Sequence, residues 1–289
     1  MYSDTSEHWP TPSEHMTPDK PVATLLIIIT TGIISFLAFN DRRLRDWLIF
    51  WPEAILARKE YYRIITSAFL HADWSHLLFN MFSLYFFGPT MEAAMGVPDF
   101  LLIYFASIVG GNLLSLYLHR NQDYFALGAS GGVCGVIFAS IFLFPGIEIG
   151  FFLLPVGIPG WLYAFLFLAS EFYGLRTQRG NIGHDAHLGG AIIGLLTTTA
   201  LFPQIIKTDL WLYAAVMLSS LALFVYFWKN PTGLPLKVLW KTGMAHRQER
   251  KETSATSREV DAVLDKVSRE GIHSLSKQER EILERAAGK

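Results

Sequence analysis

GASGGVCGVIFASIFLF, residues 128–144, packs four glycines around one serine, Ser130, and then runs on without a charge. At 17 residues it has the length of a helix that crosses a bilayer, roughly 17–25 apolar residues. Its opening poses the question of why a helix meant for lipid should start on a serine among glycines. Outward from it, the chain repeats the same kind of apolar run at 21–40, 76–95, 98–118, 158–174, 187–202 and 210–228, which makes seven predicted spans.

Composition agrees with that reading. Of the 289 residues, 51% are hydrophobic and 17% charged, and the charges gather at the two ends and in a few short stretches. The net charge of −1 implies no polyanionic partner, so nucleic acid is not expected. One cysteine, Cys134, rules out an intrachain disulfide. No cysteine–histidine cluster has zinc spacing, and neither a metal nor an organic cofactor is expected. The first span is not read as a signal peptide, because it follows an acidic tail, lacks a basic lead-in and is too long.

Three regions follow. Residues 1–20 are polar, hold three prolines and are predicted to be disordered. Residues 21–228 form a polytopic helical membrane domain, and 229–289 a linker and a soluble tail. Within the membrane domain, 41–75 mixes aromatic, basic and apolar residues, with Trp47 and Trp51 suited to the headgroup level; it is read as a structured interfacial loop. PGIEIGFFLLPVG, 145–157, is too short and broken to span and is predicted to be a second such loop. In the tail, Val260, Val263, Leu264 and Val267 share one helical face that Gly271 ends, and SKQE at 276–279 is a capping box opening a second helix.

Polar side chains inside a span are costly and usually have a partner or a task. The second span carries His76, Asn80 and Glu92, the fourth Ser130, and the sixth starts near His184 and His187. Spans two, four and six run in the same direction. His76, Asn80, Ser130 and His187 therefore lie at similar depth, on the side of the 41–75 loop. Gly131 and Gly135 repeat at a spacing of four, as do Gly128 and Gly132 and, in span six, Gly190 and Gly194. Small residues so spaced let two helices approach closely. His187, Gly190 and Gly194 share one face, so packing on the glycines of span four would bring the imidazole to the Ser130 hydroxyl. A neutral imidazole that takes the hydroxyl proton makes serine a nucleophile. Free N–H groups at the start of span four, with Asn80 and His76 beside them, would hold an oxyanion. No aspartate is placed to orient His187, since Asp185 should point elsewhere. The expectation is a dyad.

These motifs resemble the rhomboid family of intramembrane serine proteases over about residues 60–195. Tyr62–Arg63 resembles the family's aromatic–arginine signature in the first loop, with tyrosine for the commoner tryptophan. HADWSHLLFN, 71–80, resembles HxxxxHxxxN through His71, His76 and Asn80; Glu92 and Gly96 resemble ExxxG; GASG, 128–131, resembles GxSG through Gly128 and Gly131; AHLGGAIIG, 186–194, resembles AHxxGxxxG. The resemblance implies Ser130 as nucleophile and His187 as base. It implies His76, Asn80 and the Ser130 N–H as oxyanion hole, with Arg63, His71, Glu92 and the glycines as structural support. Arg63 and Glu92 would brace the first loop, and His184 falls off the catalytic position. Family members often carry a tyrosine four residues after the nucleophile, stacked on the histidine; here that residue is Cys134.

The fold implied is an all-α polytopic bundle, a six-helix rhomboid core with one C-terminal transmembrane helix added and a small helical tail. The implied activity is cleavage of transmembrane protein substrates within the lipid bilayer, with no cofactor; oligomeric state is left open. A catalytically silent relative that binds or escorts membrane helices is the alternative, and a transporter a remoter one. Location in a bacterial cytoplasmic membrane is implied, with the active site outside. Counting Arg42, Arg43, Arg45, Arg58, Lys59 and Arg63 in the loop and Lys229, Lys237 and Lys241 after span seven points the other way, to the cytoplasm.

Overall fold

The computed structural model describes residues 21–151, 154–177, 183–229, 260 and 262–286. The tail expected at 1–20 and the linker at 230–259 lie outside the described residues.

The chain begins with α1 (Val22–Asn40), which buries Ala23, Thr24, Ile27, Thr31, Ser35 and Ala38 in one stripe at steps of three and four. Leu26, Ile29, Ile33, Phe36 and Leu37 on its other side are more than half exposed. Small and hydroxylated residues inside with bulky apolar ones outside is the pattern of a helix solvated by acyl chains. Among the described residues, three helices are long and apolar enough to cross a membrane: α1, α5 (Trp74–His119) and α10 (Leu210–Lys229). The molecule is an all-α polytopic membrane bundle.

Spans two and three are joined in α5, whose 46 residues, at about 1.5 Å each, far exceed one ~30 Å crossing. The helix breaks at Gly96, where φ is 80° and ψ 163°, a conformation open to glycine. The arm after Gly96 packs on α6 (Ser130–Leu143) through Tyr104, Ser107 and Ile108, and α6 is buried at every residue from Gly131 to Leu143. With 14 residues, or about 21 Å, α6 is shorter than the hydrocarbon core, so its ends do not both reach the headgroups. It starts at Ser130 itself; Gly128 lies in the preceding turn and not on the helix face expected for it.

The second predicted loop contains a hairpin instead. β1 (Glu148–Phe151) and β2 (Leu154–Pro159) pair antiparallel, with Ile149 opposite Ile158 and Gly150 opposite Gly157. Pairing satisfies backbone groups that a plain loop in contact with lipid would leave open. Three further helices precede α10: α7 (Gly160–Thr177), α8 (His184–Leu201) and the short α9 (Ile205–Thr208). Tyr213 of α10 meets Thr199 of α8, hydroxyl to hydroxyl, at 2.6 Å.

The 41–75 loop folds as α2 (Arg42–Leu48), α3 (Pro52–Ala57), α4 (Arg63–Thr66) and a 3-10 turn at Ser67–Phe69. Asp41 caps α2 through the Arg43 and Leu44 N–H groups, and Pro52 opens α3 where a missing N–H costs nothing. Arg63, 4% exposed, donates to the Asp46 and Ile49 carbonyls at 2.8 Å each and to Glu60 at 2.5 Å. Arg58 lies over the Trp51 ring at 4.4 Å. Two of the basic residues that set the charge count are thus engaged in holding the loop together. Burial would raise the Glu60 carboxyl, but Arg63 and then Arg58 outweigh it and hold it below its ordinary value.

By contact density the chain divides into two compact units, Met1–Pro235 and Leu236–Lys289. Within the second, α11 (262–270) ends at Gly271, with φ 81°, and α12 (Lys277–Ala286) starts on the expected capping box. Ser276 N–H reaches Glu279 at 2.7 Å, and Glu279 N–H reaches the Ser276 hydroxyl at 3.3 Å. Val263 and Leu275 are buried, whereas Leu264, expected on the apolar face, is 51% exposed.

Candidate active site

The turn before α6 is built to present Ser130. Gly128 holds φ at 132°, where an L side chain is strained, and its N–H donates to the Ser67 carbonyl at 3.0 Å. The Ala129 N–H points to His71 Nε2 at 3.5 Å, while His71 Nδ1 lies 3.0 Å from the Ser35 hydroxyl. Ser35 gives its own proton to the Phe69 carbonyl at 2.8 Å, so His71 Nδ1 is the donor and its ring is neutral. Burial, aided by His76, accordingly pushes His71 down to about 3. His71 therefore supports the turn. Ser130, the first residue of α6, keeps its N–H in the helix's free first turn.

On the facing helix, His187 lies in the first turn of α8, with Gly190 and Gly194 one and two turns on. A Cβ on Gly190 would strike the Gly131 carbonyl, and one on Gly194 would strike Gly135 Cα. Backbone therefore rests on backbone, and His187 Nε2 comes to 2.7 Å from Ser130 Oγ. His187 is 16% exposed, so the pair opens to one side.

The other residues read from the sequence divide into those near the hydroxyl and those far from it. The His76 ring lies over Gly128: a Cβ there would sit 2.9 Å from His76 Nε2 and 3.7 Å from Ser130 Oγ. The absent methyl leaves a gap between imidazole and hydroxyl. Asn80, 2% exposed, donates to the His76 carbonyl one turn back at 3.1 Å, which occupies one of its two N–H groups. Glu92 does not brace the first loop. It accepts from Ala23 N–H at 2.9 Å, Thr24 N–H at 2.8 Å and the Thr24 hydroxyl at 2.7 Å, capping α1 from the other end of its span.

One group was missed. Glu171 of α7, 6% exposed, lies with Oε1 3.3 Å from His187 Nδ1 and Oε2 2.8 Å from His184 Nδ1. The expected dyad thus has a carboxylate behind it, delivered from a helix that sequence reasoning had not searched. The signal was present: α7 buries Gly160, Ala164, Leu168, Glu171 and Leu175 at helical spacing, and Glu171 is the one acid on that face. Glu171, His184 and His187 offer ligand atoms within 4.8 Å of one another, close enough to hold a divalent cation. Asp185 does point elsewhere, towards His119 of α5, whose Nε2 is 3.2 Å away.

In chemical terms the arrangement has a hydroxyl beside an imidazole, a carboxylate behind that imidazole, and free N–H donors with a one-methyl gap next to the hydroxyl. Residues 58–204, half of the chain, match the Rhomboid domain family, and 247–289 match a Family of unknown function (DUF6576). Among curated relatives, the chain is 32% identical over 155 residues to "Rhomboid protein 1, mitochondrial" of Saccharomyces cerevisiae, covering 51% of this chain and 45% of that protein. It is 30% identical over 129 residues to "Putative rhomboid protease YdcA" of Bacillus subtilis, covering 43% and 62%. It is 26% identical over 187 residues to "Rhomboid protease GlpG" of Yersinia pestis, covering 61% of each. The chain spans about half to three fifths of the length of these relatives. Mitochondrial, chloroplastic and bacterial proteins all appear among its relatives, so they select no compartment. With half of its length matching that family and its glycine-packed centre inside the matched segment, this chain belongs to the rhomboid family.

Proposed function

We propose that this protein is an intramembrane serine endopeptidase that cleaves transmembrane segments of other membrane proteins. The observation that carries this reading is the 2.7 Å approach of His187 Nε2 to Ser130 Oγ. In the reaction, His187 Nε2 takes the Ser130 proton as Oγ bonds to the scissile carbonyl carbon, whose oxygen becomes the oxyanion. The Ser130 N–H, the free N–H of Asn80 and the His76 ring hold that charge, and each such donor is worth about 2.7–4 kcal/mol in the transition state. As the C–N bond breaks, the leaving nitrogen takes the proton from His187. Water then gives a proton back to His187, its oxygen attacks the acyl carbon, and Ser130 leaves as the hydroxyl. The short α6 supports a reaction centre below the membrane surface, reached by a substrate helix that has locally unwound.

The test is cleavage of a co-reconstituted transmembrane substrate, together with labelling of Ser130 by a fluorophosphonate. Wild type should cleave and label, and Ser130→Ala should do neither while its thermal melt is unchanged. A stable wild-type protein that neither cleaves nor labels would overturn this reading in favour of a catalytically silent relative.

A further inference from the structure

We propose that Glu171 is a positioning residue: its carboxylate holds the His187 proton on Nδ1, and His184 clamps that carboxylate from the other side. The proposal rests on the serine–histidine reading above and adds a third and a fourth member to it.

A neutral imidazole carries its proton on either nitrogen, and only the Nδ1–H form presents a bare Nε2 to the Ser130 hydroxyl. A carboxylate accepts and cannot donate, so Glu171 Oε1, 3.3 Å from His187 Nδ1, selects that form. When the ring takes the serine proton it becomes a cation, and a negative charge held in a poorly screened site stabilises it.

The second imidazole explains why the carboxylate stays in place. His184 Nδ1 lies 2.8 Å from Oε2, so each oxygen of Glu171 has its own imidazole. The His184 ring lies against Gly174, three residues after Glu171 on α7, where any Cβ would collide with the ring. Glycine at 174 thus makes the room that lets α8 bring both imidazoles to one acid. An acid on the core face of a membrane helix is costly unless it is partnered, and both partners of Glu171 belong to the first turn of α8. A role confined to joining α7 and α8 would need only His184. The Oε1–His187 contact instead points at the reacting ring.

The experiment uses the full-length protein in liposomes, with substrate cleavage and fluorophosphonate labelling as rates. Glu171→Gln should lower kcat by about 100-fold or more with little change in KM, and Glu171→Asp should recover part of that loss. Nitrogen NMR of labelled histidine, with His187 assigned by its absence in His187→Gln, should find the proton on Nδ1 in wild type and spread over both nitrogens in Glu171→Gln. EDTA should leave the wild-type rate unchanged. Wild-type kcat in Glu171→Gln overturns the proposal, as does a proton on Nε2 in the unmutated protein. Loss of activity to EDTA that zinc restores also overturns it, by making the cluster a metal centre. If wild type neither cleaves nor labels, the protease reading falls alone, and the NMR arm still decides the role of Glu171.

Discussion

Two carboxylate–imidazole pairs flank the first turn of α8, and they differ in what surrounds them. On one side, Asp185 meets His119 with both residues 3% exposed, and Tyr124 stacks on the His119 ring at 3.7 Å. On the other, Glu171 meets His184 and His187, and the His187 side chain is 16% exposed and 2.7 Å from a serine hydroxyl. The chemistry of the pairs is alike, but their surroundings are not. A sealed pair, its far imidazole nitrogen taken up by Gln122 at 2.7 Å, serves as a clamp between α8 and α5. An open pair with a hydroxyl at its far nitrogen can move a proton. Burial and the third neighbour, rather than the pair itself, separate a clamp from the site proposed here as a reaction centre.

That contrast can be broken from either side. The largest effect is expected from Gly190→Ala, whose methyl must push α8 off the Gly131 carbonyl and carry His187 away from Ser130. Cleavage should fall about 100-fold, since a displacement near 1 Å costs that much, and stability should fall by about 1–3 kcal/mol. Asp185→Asn should do the reverse. It removes the buried carboxylate that faces His119 and should cost about 3 kcal/mol in stability, while Ser130 labelling per folded molecule is unchanged. Loss of labelling there would show that the sealed pair also feeds the reaction.

A further imidazole sharpens the comparison, because His71 is buried with a serine hydroxyl, not a carboxylate, on its Nδ1. Its folded-state value of about 3 lies below the ~6.5 of an unfolded histidine. The unfolded chain therefore binds more protons between those values, so this contribution to stability is full above about pH 6.5 and declines as the pH falls toward 3. Thermal melts of wild type against His71→Gln across that range should show the acid-side decline shrink in the variant. The smallest effect is expected at Glu279, whose carboxyl is held at about 2 chiefly by Lys266 and the Ser276 N–H. Its contribution to the tail hairpin is present above about pH 4.3 and lost as the pH falls toward 2. Glu279→Gln should lower the helical content of the tail at neutral pH, read by circular dichroism, and leave cleavage as it was.

Much of this could be read along the chain. Apolar length is a local property, and it located α1, both arms of α5 and α10. Helical spacing and the alternation of direction put His76, Asn80, Ser130 and His187 at one depth before any packing was known. The β1–β2 hairpin was missed although IEIGF and LPVGI alternate, because the glycines and proline among them read as breaks in a loop. Nor was the service of Glu92 to α1, since a carboxylate that caps a helix 68 residues earlier leaves no trace at either position.

Glu171 marks the boundary most clearly. Its place on the apolar face of α7 was written in the order of residues, and a search of every span for acids would have found it. Its partners were not, because the ring that a buried carboxylate meets depends on how two helices turn about each other. Composition and periodicity settle which segments enter lipid and which side chains share a face, since both follow from neighbours in the chain. The pairing of faces is settled by where glycines allow backbones to touch, which is a property of the packed bundle and of no single helix in it.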